Sequence, residues 1–385
     1  MNTPRHHALA ADYVFDGFGV QRNAAVVIEG SRIVAVLPRA ELSATIPARS
    51  LPEGIWLAPG FIDVQVNGGG DVLFNETPTA EGIRAIAAAH RKSGTTALLP
   101  TLISDTPEKT KSALAAVAEM ADADPSIVGI HLEGPFLSLD RPGVHDLRYI
   151  RVPTVEDAAM LSARRGGVTV VTLAPERVPK GFIHQMTQAG VRICLGHSMA
   201  TYAETRAAMA EGLTGFTHLF NAMRPLASRE PGPIAAALES PGTWFGMIVD
   251  GVHVQPAMLR LALRGTSRPM LVTDAMPPVG GSRAGFVLYG EEITVRDGRC
   301  LRKDGTLAGA VLDMATAVSN CVRLLGVPLE VALRFASTNP ASFLGVDHWL
   351  GRLAPGYRAD IVAIHPGSTK IVETWVAGEL PHGRQ

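Results

Sequence analysis

Two histidines and one glutamate stand where three apolar, strand-like stretches of the chain end. They are Glu133, His197 and His218. Two imidazoles and one carboxylate suit a hydrolytic metal such as zinc, because three protein ligands leave a coordination position for water. Asp274 follows a fourth apolar stretch and is a candidate general base. These residue types, in these places, predict a metal-dependent hydrolase.

Short apolar, β-branched runs recur along the chain, and most are followed by an Ala-rich segment with helical spacing. This pattern is typical of repeated βα units, and eight of them predict an α/β fold of the (β/α)8, TIM-like barrel type. In such a barrel the carboxyl ends of all strands open at one mouth, so residues that follow different strands converge there. The predicted strands are residues 60–66, 96–101, 127–132, 169–173, 191–195, 215–218, 244–249 and 270–273.

The segments between these strands carry helix and loop signals. Residues 80–93 have an apolar stripe at helical spacing, and a later helix begins with Thr201 as its cap and Glu204 at the capping-box position. The interval 135–153 has no periodic pattern. We expect it to form a long loop at the carboxyl end of the third strand, where barrel enzymes keep substrate contacts.

Both ends of the chain carry β patterns outside the predicted barrel, and Asp297-Gly298 marks a hairpin after the last barrel strand. The sequence therefore predicts two parts. They are a small β-sandwich module of residues 1–57 and 346–385, and a metallohydrolase barrel of residues 58–345 with a β-hairpin insertion near 285–305.

The composition excludes several classes of protein. The chain has 385 residues, 46% hydrophobic and 18% charged, with a net charge of -1, so it has no overall basic field for nucleic acid or anionic lipid. Three cysteines far apart argue against a disulfide framework. The start has no signal-peptide core, and the longest apolar stretch is broken by charged residues. We expect a cytoplasmic protein that binds neither nucleic acid nor membrane.

Each histidine taken alone is weak support for a metal site, since histidines at strand ends are commonly hydrogen-bonded scaffolding. His145 and His253 follow the third and seventh strands and can reach the mouth, so a substrate role and a structural role stay open for both. The glycines at 68–70 lack the residues of a phosphate loop, and Ser198 does not lie in a Gly-x-Ser-x-Gly elbow. The remaining histidines in helices and in the C-terminal part are assigned to structure or surface: His90, His184, His348, His365 and His382.

Several motifs resemble the amidohydrolase superfamily and, within it, the N-acetylglucosamine-6-phosphate deacetylase family. PGFID at 59–63 and APGYRAD at 354–360 are general to the superfamily, whereas NAM at 221–223 followed by REPG at 229–232 is specific to the deacetylases. The other shared stretches are HLEGPF at 131–136, LGHS at 195–198, DGVHV at 250–254 and VTDA at 272–275.

The resemblance implies a role for individual residues. It implies that Glu133, His197 and His218 bind one divalent metal, most simply Zn²⁺ with Fe²⁺, Co²⁺ and Mn²⁺ as alternatives, and that Asp274 is the catalytic acid/base. It also implies a homodimer, or a higher oligomer, in which Arg229 can act across the subunits. The substrate-binding residues it implies are Val144, His145, Asn221, Ala222, Arg229, Asp250, His253, Leu307, Ala308 and Gly309, and His145 would also polarise the acetamide carbonyl.

The chain departs from the superfamily after the first strand. Most members have His-x-His there, but this chain has Gln65 and Asn67, whose neutral amides bind such metals poorly. We therefore expect one metal per chain. Gln65 and Asn67 would contact the metal through water, or would contact the metal-binding residues and not the metal itself.

The resemblance implies hydrolysis of the acetamide of N-acetylglucosamine 6-phosphate, in amino-sugar catabolism or recycling. A deacetylase of the galactosamine epimer and another amidohydrolase remain alternatives. A non-catalytic barrel scaffold is the third interpretation. It is less favoured, because Glu133, His197, His218 and Asp274 are all present.

Overall fold

The structure is a computed structural model that describes residues 6–163 and 166–380. His382 and the outermost ends of the predicted terminal module, 1–5 and 381–385, lie outside the described residues. The strands, in chain order, are β1 (His7–Phe15), β2 (Val20–Glu29), β3 (Arg32–Pro38), β4 (Ala48–Ser50), β5 (Trp56–Pro59), β6 (Phe61–Val66), β7 (Gly68–Gly69), β8 (Val72–Leu73), β9 (Thr95–Ile103), β10 (Gly129–Glu133), β11 (Val168–Leu173), β12 (Arg192–Leu195), β13 (Gly215–Phe216), β14 (Trp244–Met247), β15 (Arg268–Leu271), β16 (Gly285–Leu288), β17 (Glu291–Arg296), β18 (Arg299–Leu301), β19 (Leu307–Ala310), β20 (Ile361–Ile364) and β21 (Ile371–Trp375).

The α-helices connect and cover these strands, and none in the described part of the chain is long and apolar enough to cross a membrane. The capping box predicted at Thr201 and Glu204 is confirmed. The helices are α1 (Ala80–Arg91), α2 (Pro107–Ala123), α3 (Val155–Ser162), α4 (Phe182–Gln188), α5 (Tyr202–Ala210), α6 (Gly232–Leu238), α7 (Pro256–Ala262), α8 (Met314–Asn320), α9 (Leu329–Ala336) and α10 (Thr338–Leu344).

Eight parallel strands form a nearly closed barrel, which confirms the predicted fold class. Their order is β6, β9, β10, β11, β12, β13, β14 and β15, so that the seven strands from β9 to β15 follow one another in chain order. The carboxyl ends of the first and last strands are joined by backbone hydrogen bonds. Asp274 N–H donates to the Gln65 carbonyl at 3.0 Å, and Asn67 N–H donates to the Ala275 carbonyl at 2.9 Å. This closure places the residues that follow β6 beside those that follow β15.

The chain forms two compact units. One contains the segments up to Asp63, His90–Ala97 and from Met314 onward, and the other contains Val64–Ala89 and Leu98–Asp313. All of the predicted site residues belong to the second unit. The boundaries predicted from the sequence, at 57/58 and 345/346, stay a prediction.

Strands from both ends of the chain share one seven-stranded sheet. Its order is β21, β20, β5, β1, β2 and β3, with β4 also paired to β1. Alternate residues of β1 point to opposite faces, so that Leu9 and Ala11 join one apolar cluster while Ala8 and Ala10 join another. β2 and β3 form an antiparallel hairpin around Gly30.

The insertion after the barrel is larger than the predicted hairpin. It is a four-stranded antiparallel sheet of β16, β17, β18 and β19, which we call the insert sheet. Its buried residues include Leu288, Ile293 and Cys300, which pack with Ile103 and Met276. The insert sheet is therefore anchored on residues close to the carboxyl ends of barrel strands.

A chain of buried hydrogen bonds crosses the barrel interior. The Val64 carbonyl can only accept, so His131 donates to it from Nδ1 at 2.9 Å. Burial lowers the pKa of His131 to about 4, against the opposing charge of Glu133, and the ring is neutral at pH 7. Its Nε2 then accepts from the Thr172 hydroxyl at 2.7 Å, and Thr172 in turn accepts from the Thr217 hydroxyl at 2.6 Å. This chain ties together four strands of the barrel or the residues that follow them.

Thr172→Val should destabilise the protein, because it keeps the shape of the side chain and leaves buried partners without a hydrogen bond. An unsatisfied buried polar group costs about 1–3 kcal/mol. Thr169→Val is the matched control, since Thr169 lies on the same strand, is half-buried and is outside the chain of hydrogen bonds. Calorimetric melting should show a lower melting temperature for Thr172→Val alone. Equal melting temperatures for the two variants would mean that these buried hydrogen bonds add nothing to stability.

Candidate metal centre and active site

Tight turns after the barrel strands place the polar side chains at the mouth. Glu133 is the last residue of β10, whereas His197, His218 and Asp274 come two or three residues after β12, β13 and β15. These three have φ angles of +49°, +33° and +50°, which lie in the left-handed region. Non-glycine residues rarely adopt this conformation, and such residues cluster at active sites.

Glu133, His197 and His218 meet around one point. The Nε2 atoms of both histidines lie 2.9 Å from Oε1 of Glu133 and 3.1 Å from each other. All three residues are buried. Each residue offers one potential metal-ligand atom, and these three atoms lie within 4.8 Å of one another.

The donor chemistry of this cluster fits a bound cation. Nδ1 of His197 donates to the Arg141 carbonyl at 2.9 Å, because a carbonyl oxygen can only accept. In the neutral ring Nε2 therefore carries a lone pair, and this lone pair faces the Glu133 carboxylate. Two acceptors at 2.9 Å repel each other unless a positive charge lies between them. A hydrogen bond from the distal ring nitrogen to a carbonyl is also typical of metal-binding histidines.

Gln65 and Asn67 face carboxylates with their amide nitrogens. Gln65 Nε2 donates to Glu133 Oε2 at 3.0 Å and to Asp274 Oδ1 at 3.1 Å, and Asn67 Nδ2 donates to the same Asp274 oxygen at 2.7 Å. Their contact with a metal through water stays a prediction. In the structure they hold the Asp274 carboxylate beside the cluster.

Asp274 has an environment suited to proton transfer. Burial and then the negative charge of Glu133 raise the pKa of the Asp274 carboxyl to about 6, against the opposing influence of His218 and His253 and the Asn67 hydrogen bond. A group whose pKa lies close to the working pH is an effective general acid and base. The side chain lines the same cavity as the cluster.

His145 is held as a neutral hydrogen-bond donor. The backbone N–H of Ser104 donates to His145 Nδ1 at 3.2 Å, so Nδ1 is an acceptor and the proton of the neutral ring is on Nε2. Burial, followed by the charge of His197, lowers the pKa of His145 to about 4. His145 Nε2 lies 3.9 Å from Glu133 Oε1, so its N–H points toward the centre of the site.

The cluster opens into a cavity of about 230 Å³. Most of the predicted substrate-binding residues line it: Val144, His145, Asn221, Ala222, His253, Leu307 and Gly309. Sequence reasoning missed Ile103, Gly143, Ile248, Met276 and Thr306, which also line it. Ile103 ends β9 and Ile248 follows β14, so their place at strand ends was the available signal.

Three predicted substrate-binding residues do not line the cavity of their own chain. Asp250 lies behind His253 and accepts from its Nδ1 at 2.6 Å, and Ala308 is fully buried. Arg229 is exposed on the loop after His218. The described residues that line the cavity include no Arg and no Lys.

Known proteins similar to this chain include deacetylases of N-acetylated sugar phosphates. The chain is 42% identical to N-acetylgalactosamine-6-phosphate deacetylase of Shewanella sp. (strain ANA-3) over 89% of this chain and 86% of that protein. It is 35% identical to N-acetylglucosamine-6-phosphate deacetylase of Haemophilus influenzae over 97% of this chain and 98% of that protein.

Solved structures of N-acetylglucosamine-6-phosphate deacetylases are also similar to this chain. N-acetylglucosamine-6-phosphate deacetylase from Pasteurella multocida has a TM-score of 0.93 and 35% identity, and covers 98% of this chain and 99% of its own. The enzyme of that name from Mycobacterium smegmatis has a TM-score of 0.89 and 36% identity, with 97% and 99% covered. The sequence profile of the amidohydrolase family, whose members depend on metal, matches residues 56–381. With a matching profile, matching relatives and a Glu-His-His cluster able to bind a metal, the chain belongs to the amidohydrolase family.

Proposed function

We propose that this chain hydrolyses the acetamide of N-acetylglucosamine 6-phosphate to glucosamine 6-phosphate and acetate. The observation that carries the proposal is the convergence of the Glu133, His197 and His218 cluster, the Asp274 carboxylate and the neutral His145 donor on one cavity. Relatives named N-acetylglucosamine-6-phosphate deacetylase support this choice of substrate. This substrate and three buried free cysteines favour a cytoplasmic location.

Glu133, His197 and His218 would hold one divalent cation. We propose Zn²⁺, because two imidazoles and a carboxylate are a common catalytic zinc set, with Fe²⁺, Co²⁺ and Mn²⁺ as alternatives. When bound, the cation supplies Lewis acidity, which lowers the pKa of water and polarises the amide carbonyl. The donation of Gln65 and Asn67 to carboxylates argues against a second cation there.

Asp274 would move the proton. As the water attacks the acetamide carbonyl, the Asp274 carboxylate accepts its proton, and it then delivers that proton to the leaving amine nitrogen. Gln65 and Asn67 keep the carboxylate oriented through the hydrogen bonds to Oδ1. His145 would donate from Nε2 to the carbonyl oxygen, where negative charge develops.

The sugar phosphate would lie on the side of Asn221, Ala222 and His253, under Leu307 and Gly309 of the insert sheet. Asp250 orients His253 by accepting from its Nδ1. A phosphate needs a local cation, and the exposed Arg229 is the candidate. Since Arg229 does not line its own cavity, we propose that the protein is a homodimer in which Arg229 reaches the partner's cavity.

A deacetylase of the galactosamine epimer is the second candidate function. It is favoured by one specific observation, the 42% identity to the Shewanella N-acetylgalactosamine-6-phosphate deacetylase. The two sugars differ only in the configuration of one hydroxyl.

The test is release of free amine from the 6-phosphates of both N-acetylated sugars, at matched concentrations, by the metal-loaded protein. We expect the glucosamine epimer to have the higher kcat/KM. A higher kcat/KM for the galactosamine epimer would establish the second function. No amine from either sugar would contradict both.

Asp274→Asn should lower turnover by at least ~10²-fold, because the amide keeps the shape of the side chain and cannot carry the proton. Metal content and KM should stay close to those of the parent. Asp122→Asn, an exposed change on α2, is the matched control. Turnover of Asp274→Asn within a few-fold of the parent would mean that another residue is the base.

Arg229→Ala should lower kcat/KM for the phosphorylated sugar by about 10- to 150-fold, which corresponds to ~1.5–3 kcal/mol for a hydrogen bond to a charged group. The slow reaction with unphosphorylated N-acetylglucosamine should hardly change. Arg264→Ala, an exposed arginine after α7, serves as the control. Equal losses on both sugars would show that Arg229 does not bind phosphate.

Co-expression of the Arg229→Ala and Asp274→Asn chains separates action within a subunit from action across the dimer. In a mixed dimer, the Arg229→Ala chain keeps its own Asp274 and receives Arg229 from the partner. Mixed dimers should therefore recover activity if Arg229 acts across the dimer. Activity no higher than the average of the two variants would mean that Arg229 acts at the cavity of its own subunit.

A further inference from the structure

The turn between β16 and β17 of the insert sheet has an unfavourable residue. Tyr289 and Gly290 have φ angles of +51° and +80°, the pattern of a type I′ hairpin turn. Asn, Asp or Gly normally occupies the first of these positions, as Asp297 does in the following turn with Gly298. A left-handed tyrosine is costly for the local backbone, so contacts made by its side chain must compensate.

Tyr289 makes those contacts beside the active site. Its hydroxyl donates a hydrogen bond to the Ser104 carbonyl. The centre of its ring lies 5.7 Å from the centre of the Tyr149 ring. Tyr289 also packs against the apolar cluster that includes Ile103, and Val144 packs against the same cluster. Tyr289 therefore touches Ser104 and the neighbours of both Ser104 and His145.

Ser104 connects Tyr289 to His145. It is buried directly after β9. Two of its atoms lie within hydrogen-bond distance of His145 Nδ1, the backbone nitrogen at 3.2 Å and the hydroxyl Oγ at 2.8 Å. Because the N–H must donate, the Oγ–H donates to the same lone pair. One residue thus fixes the proton of His145 on Nε2 and accepts the Tyr289 hydroxyl on its carbonyl.

The insert sheet also covers the cavity. Thr306, Leu307 and Gly309 line it from β19 and the residue before β19. The sheet that covers the substrate and the histidine that would polarise the substrate are therefore attached to the same residue. Movement of the insert sheet would carry Tyr289 away from Ser104.

We infer that Ser104 and Tyr289 are positioning residues that hold His145 in its Nε2–H form only when the insert sheet is docked over the cavity. The inference rests on the proposed deacetylation, in which His145 donates to the carbonyl oxygen. It assigns a function to two residues that do not line the cavity.

A double-mutant cycle tests this inference in the full-length, metal-loaded protein. Tyr289→Phe should lower kcat by about three- to tenfold, the range for one hydrogen bond, with KM nearly unchanged. In the His145→Ala background the same change should have almost no effect on kcat, because the residue through which Tyr289 acts is gone. Tyr149→Phe is the control, since it makes the same change in the neighbouring ring and should leave kcat and KM unaltered.

Two kinetic results would overturn the inference while the parent remains an active deacetylase. They are the same fold-loss of kcat for Tyr289→Phe in both backgrounds, and no loss in the parent. ¹⁵N NMR of histidine-labelled protein gives a readout independent of activity. The signals of His145 should show a protonated Nε2, and a protonated Nδ1 would overturn the inference even if the chain hydrolyses a different amide.

Discussion

The buried negative charge of Glu133 is the constraint on which the rest of the site depends. Two imidazole nitrogens lie 2.9 Å from one of its oxygens, inside a barrel where burial penalises an unpaired charge. Burial alone would raise the pKa of the Glu133 carboxyl, but the three histidines around it outweigh burial and keep that pKa well below its usual range. A cation at this point would satisfy the carboxylate and the two imidazoles together.

The neighbouring groups are arranged around that charge. It contributes to the raised pKa of Asp274, so the same carboxylate that would bind metal also helps to give Asp274 a pKa suited to proton transfer. Gln65 donates to both carboxylates and keeps the two negative groups apart in one fixed geometry. Below them, the chain of hydrogen bonds through His131 and Thr172 leaves no unpaired polar group on those side chains.

The parts of the site that follow barrel strands could be predicted from the sequence, because a barrel brings all strand ends to one mouth. Glu133, His197, His218 and Asp274 are of this kind, and the predicted strands overlap β6 and β9 to β15. The contact between Tyr289 and Ser104 could not be found this way, although Ser104 directly follows a barrel strand. Their link joins residues 185 positions apart, and Tyr-Gly is a poor turn signal. The exposed position of Arg229 was equally hidden, since sequence does not show on which surface a loop lies.

The central claim, that one cation is held by Glu133, His197 and His218, is tested most directly by titrating metal-free protein with Zn²⁺ while metal content and activity are measured together. The account predicts that activity saturates at about one bound equivalent per chain, and that His218→Ala binds none tightly whereas the exposed His184→Ala binds as the parent does. Two tightly bound equivalents per chain, both needed for activity, or unchanged metal binding by His218→Ala, would contradict it.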